Sequence, residues 1–125
     1  MKTTMKTTTF TVAAALAISA LALPARADVT HQCSGIGMEE RAEAENVPHT
    51  LRLVYAQPNG NYLGSIETRI AGPQGELVNV RCPGPWVLVD LPDGTYQVTA
   101  SFKGETKSRR VTIAGGRQQR QVFVF

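Results

Sequence analysis

Histidine and cysteine are scarce in this chain, with two of each among 125 residues. A nucleophilic hydrolase needs a nucleophile, a base and an orienting acid in contact. Only His31 and His49 offer imidazole bases, and no Gly-x-Ser-x-Gly segment occurs. The two cysteines are not spaced as Cys-x-x-Cys, which removes the usual redox-motif and paired-ligand patterns. A carboxylate pair for glycoside hydrolysis would have to come from Glu39, Glu40, Glu43 or Glu45, all on one short segment that reads as a solvated helix face. No nucleotide or other cofactor motif is present. The expectation is therefore a protein that is not an enzyme and carries no cofactor.

Long apolar runs are also missing. Phe10 to Leu23 is a charge-free stretch of 14 residues interrupted by Thr11 and Ser19, short of the roughly 20 needed to span a bilayer. Lys2 and Lys6 precede it, and Ala25-Arg26-Ala27 closes it with small residues at both key positions. A charged start, a short apolar stretch and an A-x-A site are the three parts of an export signal. Residues 1–27 are accordingly expected to be a cleaved signal peptide, leaving a periplasmic or secreted protein with no transmembrane segment. The approach to Cys33 through Val29-Thr30-His31-Gln32 lacks the small residues of a lipid-attachment site.

Cleavage after Ala27 leaves 98 residues, enough for one domain. It also removes Lys2, Lys6 and Arg26 from thirteen bases, so ten remain against ten acids. The net charge of the whole chain, +3, thus gives no reason to expect a nucleic-acid partner. Charge is nevertheless uneven. Asp28, Glu39, Glu40, Glu43 and Glu45 lie near the start, whereas Lys103, Lys107, Arg109, Arg110, Arg117 and Arg120 lie near the end. Such regions attract one another within a fold, face a charged partner, or are simply solvated; the internal or solvated readings are preferred here.

In an oxidising compartment an isolated cysteine pair most often bridges, so Cys33 and Cys82 are expected to form a disulfide. The sharper alternative is a small metal-binding protein. His31, Cys33, Met38 and His49 are soft or borderline ligands close together in sequence, although their spacing follows no known rule and a disulfide would consume Cys33.

Residues 28–48 form a distinct N-terminal segment. Met38 to Glu45 is rich in helix formers with acids in the first turn, and Asn46 and Pro48 end it, which predicts one short helix. From residue 49 to 125 short apolar or alternating runs are separated by turn residues, the pattern of an all-β sandwich of about seven strands. Thr50 to Ala56, Tyr62 to Ala71, Glu76 to Cys82 and Trp86 to Leu91 read as strands, the last buried on both faces. After the turn at Pro92-Asp93-Gly94, Tyr96, Val98, Ala100 and Phe102 alternate with Gln97, Thr99 and Ser101, giving a half-buried strand. Thr106 to Ala114 and Arg117 to Phe125 follow as a closing hairpin. In the last strand Val122/Val124 and Phe123/Phe125 are competing apolar faces. The terminal Phe123-Val124-Phe125 alternation does not make a membrane barrel, because eight strands of about ten residues with turns exceed the mature length.

The segment Leu91-Pro92-Asp93-Gly94-Thr95-Tyr96-Gln97-Val98, the glycine turn at Gly104 and the strand Arg110-Val111-Thr112-Ile113 resemble the carboxypeptidase regulatory-like domains, which are immunoglobulin- or prealbumin-like antiparallel β-sandwiches. The likeness covers residues 49–125. With Cys33-Ser34-Gly35-Ile36-Gly37 and Gly84-Pro85-Trp86 included, the chain is also similar to small exported bacterial proteins that carry this domain. The resemblance implies a stabilising, docking or carbohydrate-binding module with no catalytic residues. The chain departs from that family in standing alone behind an acidic helical segment.

Trp86 is the candidate recognition residue. On its strand Trp86, Leu88 and Asp90 alternate with Val87, Val89 and Leu91, and the valine set is assigned to the core. Trp86 and Leu88 then face the other way, either covered by the helix through Ile36 and Met38, the preferred reading, or exposed. If exposed, Trp86 with Tyr62 would make a stacking platform for a sugar ring or a hot spot for a protein. The function expected is an exported, non-catalytic binding or accessory module for a protein or envelope polysaccharide. The alternatives are an inhibitor or immunity-type protein that blocks an exported enzyme, and the small metal binder above.

Overall fold

The computed structural model describes residues 29–125, so the expected signal peptide at 1–27 lies outside the described residues. Eight strands form two four-stranded sheets. They are β1 (Thr30–Ser34), β2 (Leu51–Ala56), β3 (Ile66–Gly72), β4 (Gly75–Cys82), β5 (Trp86–Asp90), β6 (Gly94–Phe102), β7 (Glu105–Ile113) and β8 (Gln119–Val124). One sheet runs β1-β5-β2-β8 and the other β4-β3-β6-β7. Among the described residues the single α-helix, α1 (Gly37–Glu43), continues into a 3₁₀ turn at Ala44–Asn46. The fold is thus the all-β sandwich expected, with one strand more than expected. The extra strand is β1, in the segment read only as a helical preface.

Core formation follows the period-2 alternation. Leu51, Leu53 and Tyr55 of β2 face Ile66 and Ile70 of β3 and Tyr96, Val98 and Ala100 of β6, and all are buried. Val87 and Val89 join this interior from β5, as assigned. Tyr55 and Thr68 carry the interior's polar pair: their side-chain oxygens are 2.6 Å apart and both residues are essentially inaccessible. At the LPDGTYQV turn, the Tyr96 hydroxyl donates to Pro92 O over 2.6 Å, which clamps the entry to β6.

The closing segment corrects the expected hairpin. β8 does not pair with β7; it crosses to the other sheet and runs parallel to β2, with Leu51 opposite Gln119 and Ala56 opposite Val124. This choice settles the two apolar faces of β8. Phe123 is fully buried, while Val124 is 40% exposed. Side chains of β7 close the seam beside β8: Arg109 Nη1 donates to Val122 O and Gln121 Oε1, both at 3.0 Å, and its guanidinium lies 4.2 Å from the Phe123 ring centre. Lys107 Nζ reaches Val124 O in the same way. Cations that blunt an exposed strand edge also protect it against unwanted pairing.

The strand expected from Tyr62 starts later, at Ile66. Ser65 adopts φ 61°, which breaks the extended backbone, and Tyr62 makes only an isolated bridge to Ala56. Beside Ser65, whose N–H donates to Cys82 O, the Cys33–Cys82 disulfide ties edge strand β1 to edge strand β4, with Cα atoms 5.3 Å apart.

Candidate docking surface

The loop between β1 and α1 sets the geometry of the site. Gly35 has φ 97°, and a Cβ there would sit 2.8 Å from Trp86 Cγ. Only glycine lets the chain pass over the indole and turn outward. Arg41 Nε then donates to Gly35 O over 3.1 Å, Ser34 Oγ donates to Glu40 O over 3.3 Å, and Glu40 Oε1 accepts from Ile36 N over 3.0 Å. These bonds hold the start of α1 against the end of the disulfide-tethered β1, while its C-cap Ala44 packs on the sheet. None of the helix's residues is buried.

Trp86 is covered, at 7% exposure, as the preferred reading had it. The cover is not the one expected. Ile36 and Met38 are 52% and 82% exposed, and it is Ala44 and Val47 that pack with Trp86, Leu88, Val54 and Val122 on the outer face of the β1-β5-β2-β8 sheet. The physical reason is the turn at Gly35 and Gly37. Both have positive φ, and together they swing Ile36 and Met38 away from the sheet before the helix brings Ala44 back onto it. The exposed Trp86 platform is therefore ruled out.

Tyr62 remains at the surface, 40% exposed, and meets Trp86 edge-on with ring centres 6.2 Å apart. A ladder of rings and cations runs across this end of the molecule. The Arg41 guanidinium lies 4.7 Å from the Tyr62 ring centre, and that of Arg52 lies 4.6 Å from the Trp86 ring centre. Such contacts fix the cations over the rings. Arg52 also donates to Glu45 Oε1 over 2.9 Å, and this hydrogen bond, with the arginine's charge, holds the Glu45 carboxyl below its ordinary range. Trp86 Nε1 is buried without a hydrogen-bond partner.

Ile36, Met38 and Tyr62 are thus three of the four large apolar side chains exposed among the described residues, the fourth being Val124. Glu39, Glu40 and Glu43 on the same helix are exposed. The sequence singled out Tyr62 but not Ile36 or Met38, which it assigned to the cover. The Gly-x-Gly turn at 35–37 was the signal that could have redirected them.

The proposed metal ligands do not come together. Cys33 is in the disulfide, and His49 is 5% exposed with Nδ1 2.6 Å from Val47 O. A carbonyl can only accept, so Nδ1 carries the hydrogen and Nε2 faces Arg52, 3.5 Å from Nη2. Among the described residues no three His, Cys, Asp or Glu side chains gather into a metal site. Compared with known proteins, the chain matches no family model and no curated protein, so what this surface does has to be read from its own geometry.

Proposed function

We propose that this protein is an exported, non-catalytic binding module that docks another protein through Ile36, Met38 and Tyr62. The observation that carries this reading is α1 itself. Only its C-cap Ala44 packs on the sheet, and no residue of α1 itself is buried, yet hydrogen bonds from Ser34, Glu40 and Arg41 hold its start in one orientation with Met38 outermost. A rigid apolar group presented to water fits recognition better than stability. Fully burying one such side chain is worth about 1.5–3 kcal/mol, and little conformational freedom remains to be lost on docking. Glu39, Glu40 and Glu43, exposed elsewhere on the same helix, favour a partner that carries basic residues beside its apolar pocket.

A protein partner is preferred to a polysaccharide because Trp86 is covered and, among the described residues, Tyr62 is the one large aromatic side chain that is exposed. Export is supported by the N-terminal signal pattern and the Cys33–Cys82 disulfide. Among the described residues no helix is long and apolar enough to cross a membrane. Kinship with the carboxypeptidase regulatory-like domains is supported by the sandwich and by the LPDGTYQV turn with its inward Tyr96. An inhibitor would be a tight, one-to-one case of the same docking.

The test is photo-crosslinking in the cell envelope with a reactive residue placed at Met38 and, separately, at Thr112 on the far sheet. A discrete protein adduct from position 38 that is absent from position 112 is expected. Adducts of equal yield from both positions, or none from position 38, would overturn the reading.

A further inference from the structure

A second site lies on the outer face of the β1-β5-β2-β8 sheet, beyond the 3₁₀ turn from the α1 surface. The parallel register of β2 and β8 places Arg52 directly opposite Arg120. Like charges facing each other across neighbouring strands are destabilising unless something compensates them. Glu45 compensates one: it binds Arg52 through a single oxygen at 2.9 Å. Arg120 takes part in none of the ion pairs among the described residues. A cavity of about 210 Å³ opens here, lined by Glu45, His49, Arg52, Gln118, Gln119 and Arg120. Every one of these side chains is polar. With two guanidinium groups against one carboxylate, the cavity keeps one uncompensated positive charge.

From this arrangement we infer a binding site for a small oxyanion carried on a hydroxylated body, such as a sugar acid or sugar phosphate. The anion follows from the charge balance and from Arg120. The guanidinium fork matches the paired oxygens of a carboxylate or phosphate. The hydroxylated body follows from size and lining. A bare oxyanion is small beside a cavity that equals about seven water molecules of liquid volume, and no apolar side chain lines it for an aliphatic or aromatic ligand. The Gln118 amide offers both donors and acceptors to hydroxyl groups. Gln119 alternates with Arg120 along β8 and turns its amide the other way, to Thr112 O of β7, so it serves only as part of the wall. Arg52 is fixed as well, between Glu45 and the Trp86 ring. The site does not depend on the α1 docking surface, because neither Ile36, Met38 nor Tyr62 lines it.

The experiment is a two-dimensional NMR titration of the full disulfide-bonded protein, following the Arg52 and Arg120 Nε–H and the glutamine side-chain signals. Four probes are added at low salt: glucuronate, glucose 6-phosphate, inorganic phosphate and glucose. Saturable shifts of the arginine signals are expected with glucuronate or glucose 6-phosphate by about 10 mM, where a millimolar site is mostly filled. The tighter of the two names the source of the oxyanion. Inorganic phosphate should bind at least several-fold more weakly and glucose not at all. Arg120→Gln, a change at an exposed position, should abolish the shifts while leaving the rest of the spectrum intact. No saturable shift with either anionic sugar, an equal response to glucose or to inorganic phosphate, or unchanged binding in Arg120→Gln would overturn the proposal.

Discussion

Two side chains show how single residues tune this sandwich. Burial pushes the Tyr55 hydroxyl up to about 12, and its hydrogen bond to Thr68 offsets only part of that rise. The folded state therefore keeps this proton where the unfolded chain releases it near pH 10. Stability should be intact below pH 10 and fall as pH rises from 10 to about 12, by on the order of 3 kcal/mol from this group. Denaturant melts at pH 8, 10 and 11.5 check this, and Tyr55→Phe should flatten the fall. Thr68→Val is expected to cost about 1–3 kcal/mol at neutral pH by leaving the Tyr55 hydroxyl alone in the core. Combining it with Tyr55→Phe should recover much of that loss. Trp86 presents the opposite case, because its Nε1 already lacks a partner. Trp86→Phe gives up no hydrogen bond and should cost on the order of 1 kcal/mol, whereas Trp86→Ala, which empties the space under Ala44 and Val47, should cost about 3–5 kcal/mol. Urea midpoints of the two variants test the covered position directly. Equal and small losses would mean that the indole is not packed.

Among the elements, the strands after β1 were legible from apolar runs and alternation, and pairings were legible only where neighbours in space are neighbours in the chain. β6 and β7 pair from Gly94–Ile113 to Phe102–Glu105 around a glycine turn, and the alternation of Tyr96, Val98 and Ala100 gave their inner face. β1 was missed because THQCS has no apolar alternation and its first three residues are exposed. It is a strand because β5 supplies a backbone edge, with Ser34 opposite Trp86 and Thr30 opposite Asp90. β8 was placed in the wrong sheet because its partner β2 lies more than sixty residues earlier, and a parallel pairing leaves no turn signal to read. The candidate site was legible only in part. Tyr62 was identified, but which apolar residues of a short helix turn inward depends on the two glycines that aim it. The cysteines, in contrast, were paired correctly from compartment and count alone. Their bridge closes a loop of 49 positions, which the chain-entropy model values at about 4 kcal/mol. Replacing Cys33 and Cys82 together by Ser should lower the unfolding free energy by about that amount, with amide exchange in β1 rising before that in β2 or β6. Unchanged protection of β1 would show that its pairing with β5 suffices without the bridge.

At the scale of the whole molecule the charge is divided but not cross-linked. The ion pairs among the described residues are local, joining Glu45 to Arg52, Glu67 to Arg69 and Arg81, and Glu105 to Lys107; none joins the acidic helix to the basic β7–β8 region. Lys107 and Arg109 are occupied with the seam beside β8. The acids of α1 are exposed to solvent, and association with a partner through that end should slow as salt rises. The central claim is that this end exists for docking and not for folding. The most direct measurement is affinity capture from the cell envelope with the wild-type protein and the Ile36→Ser/Met38→Ser double variant, alongside the urea midpoint of each. The account predicts midpoints that differ by no more than about 0.5 kcal/mol in stability, as for exposed positions, together with loss of the captured protein. A double variant that captures the same protein as well as the wild type would contradict it.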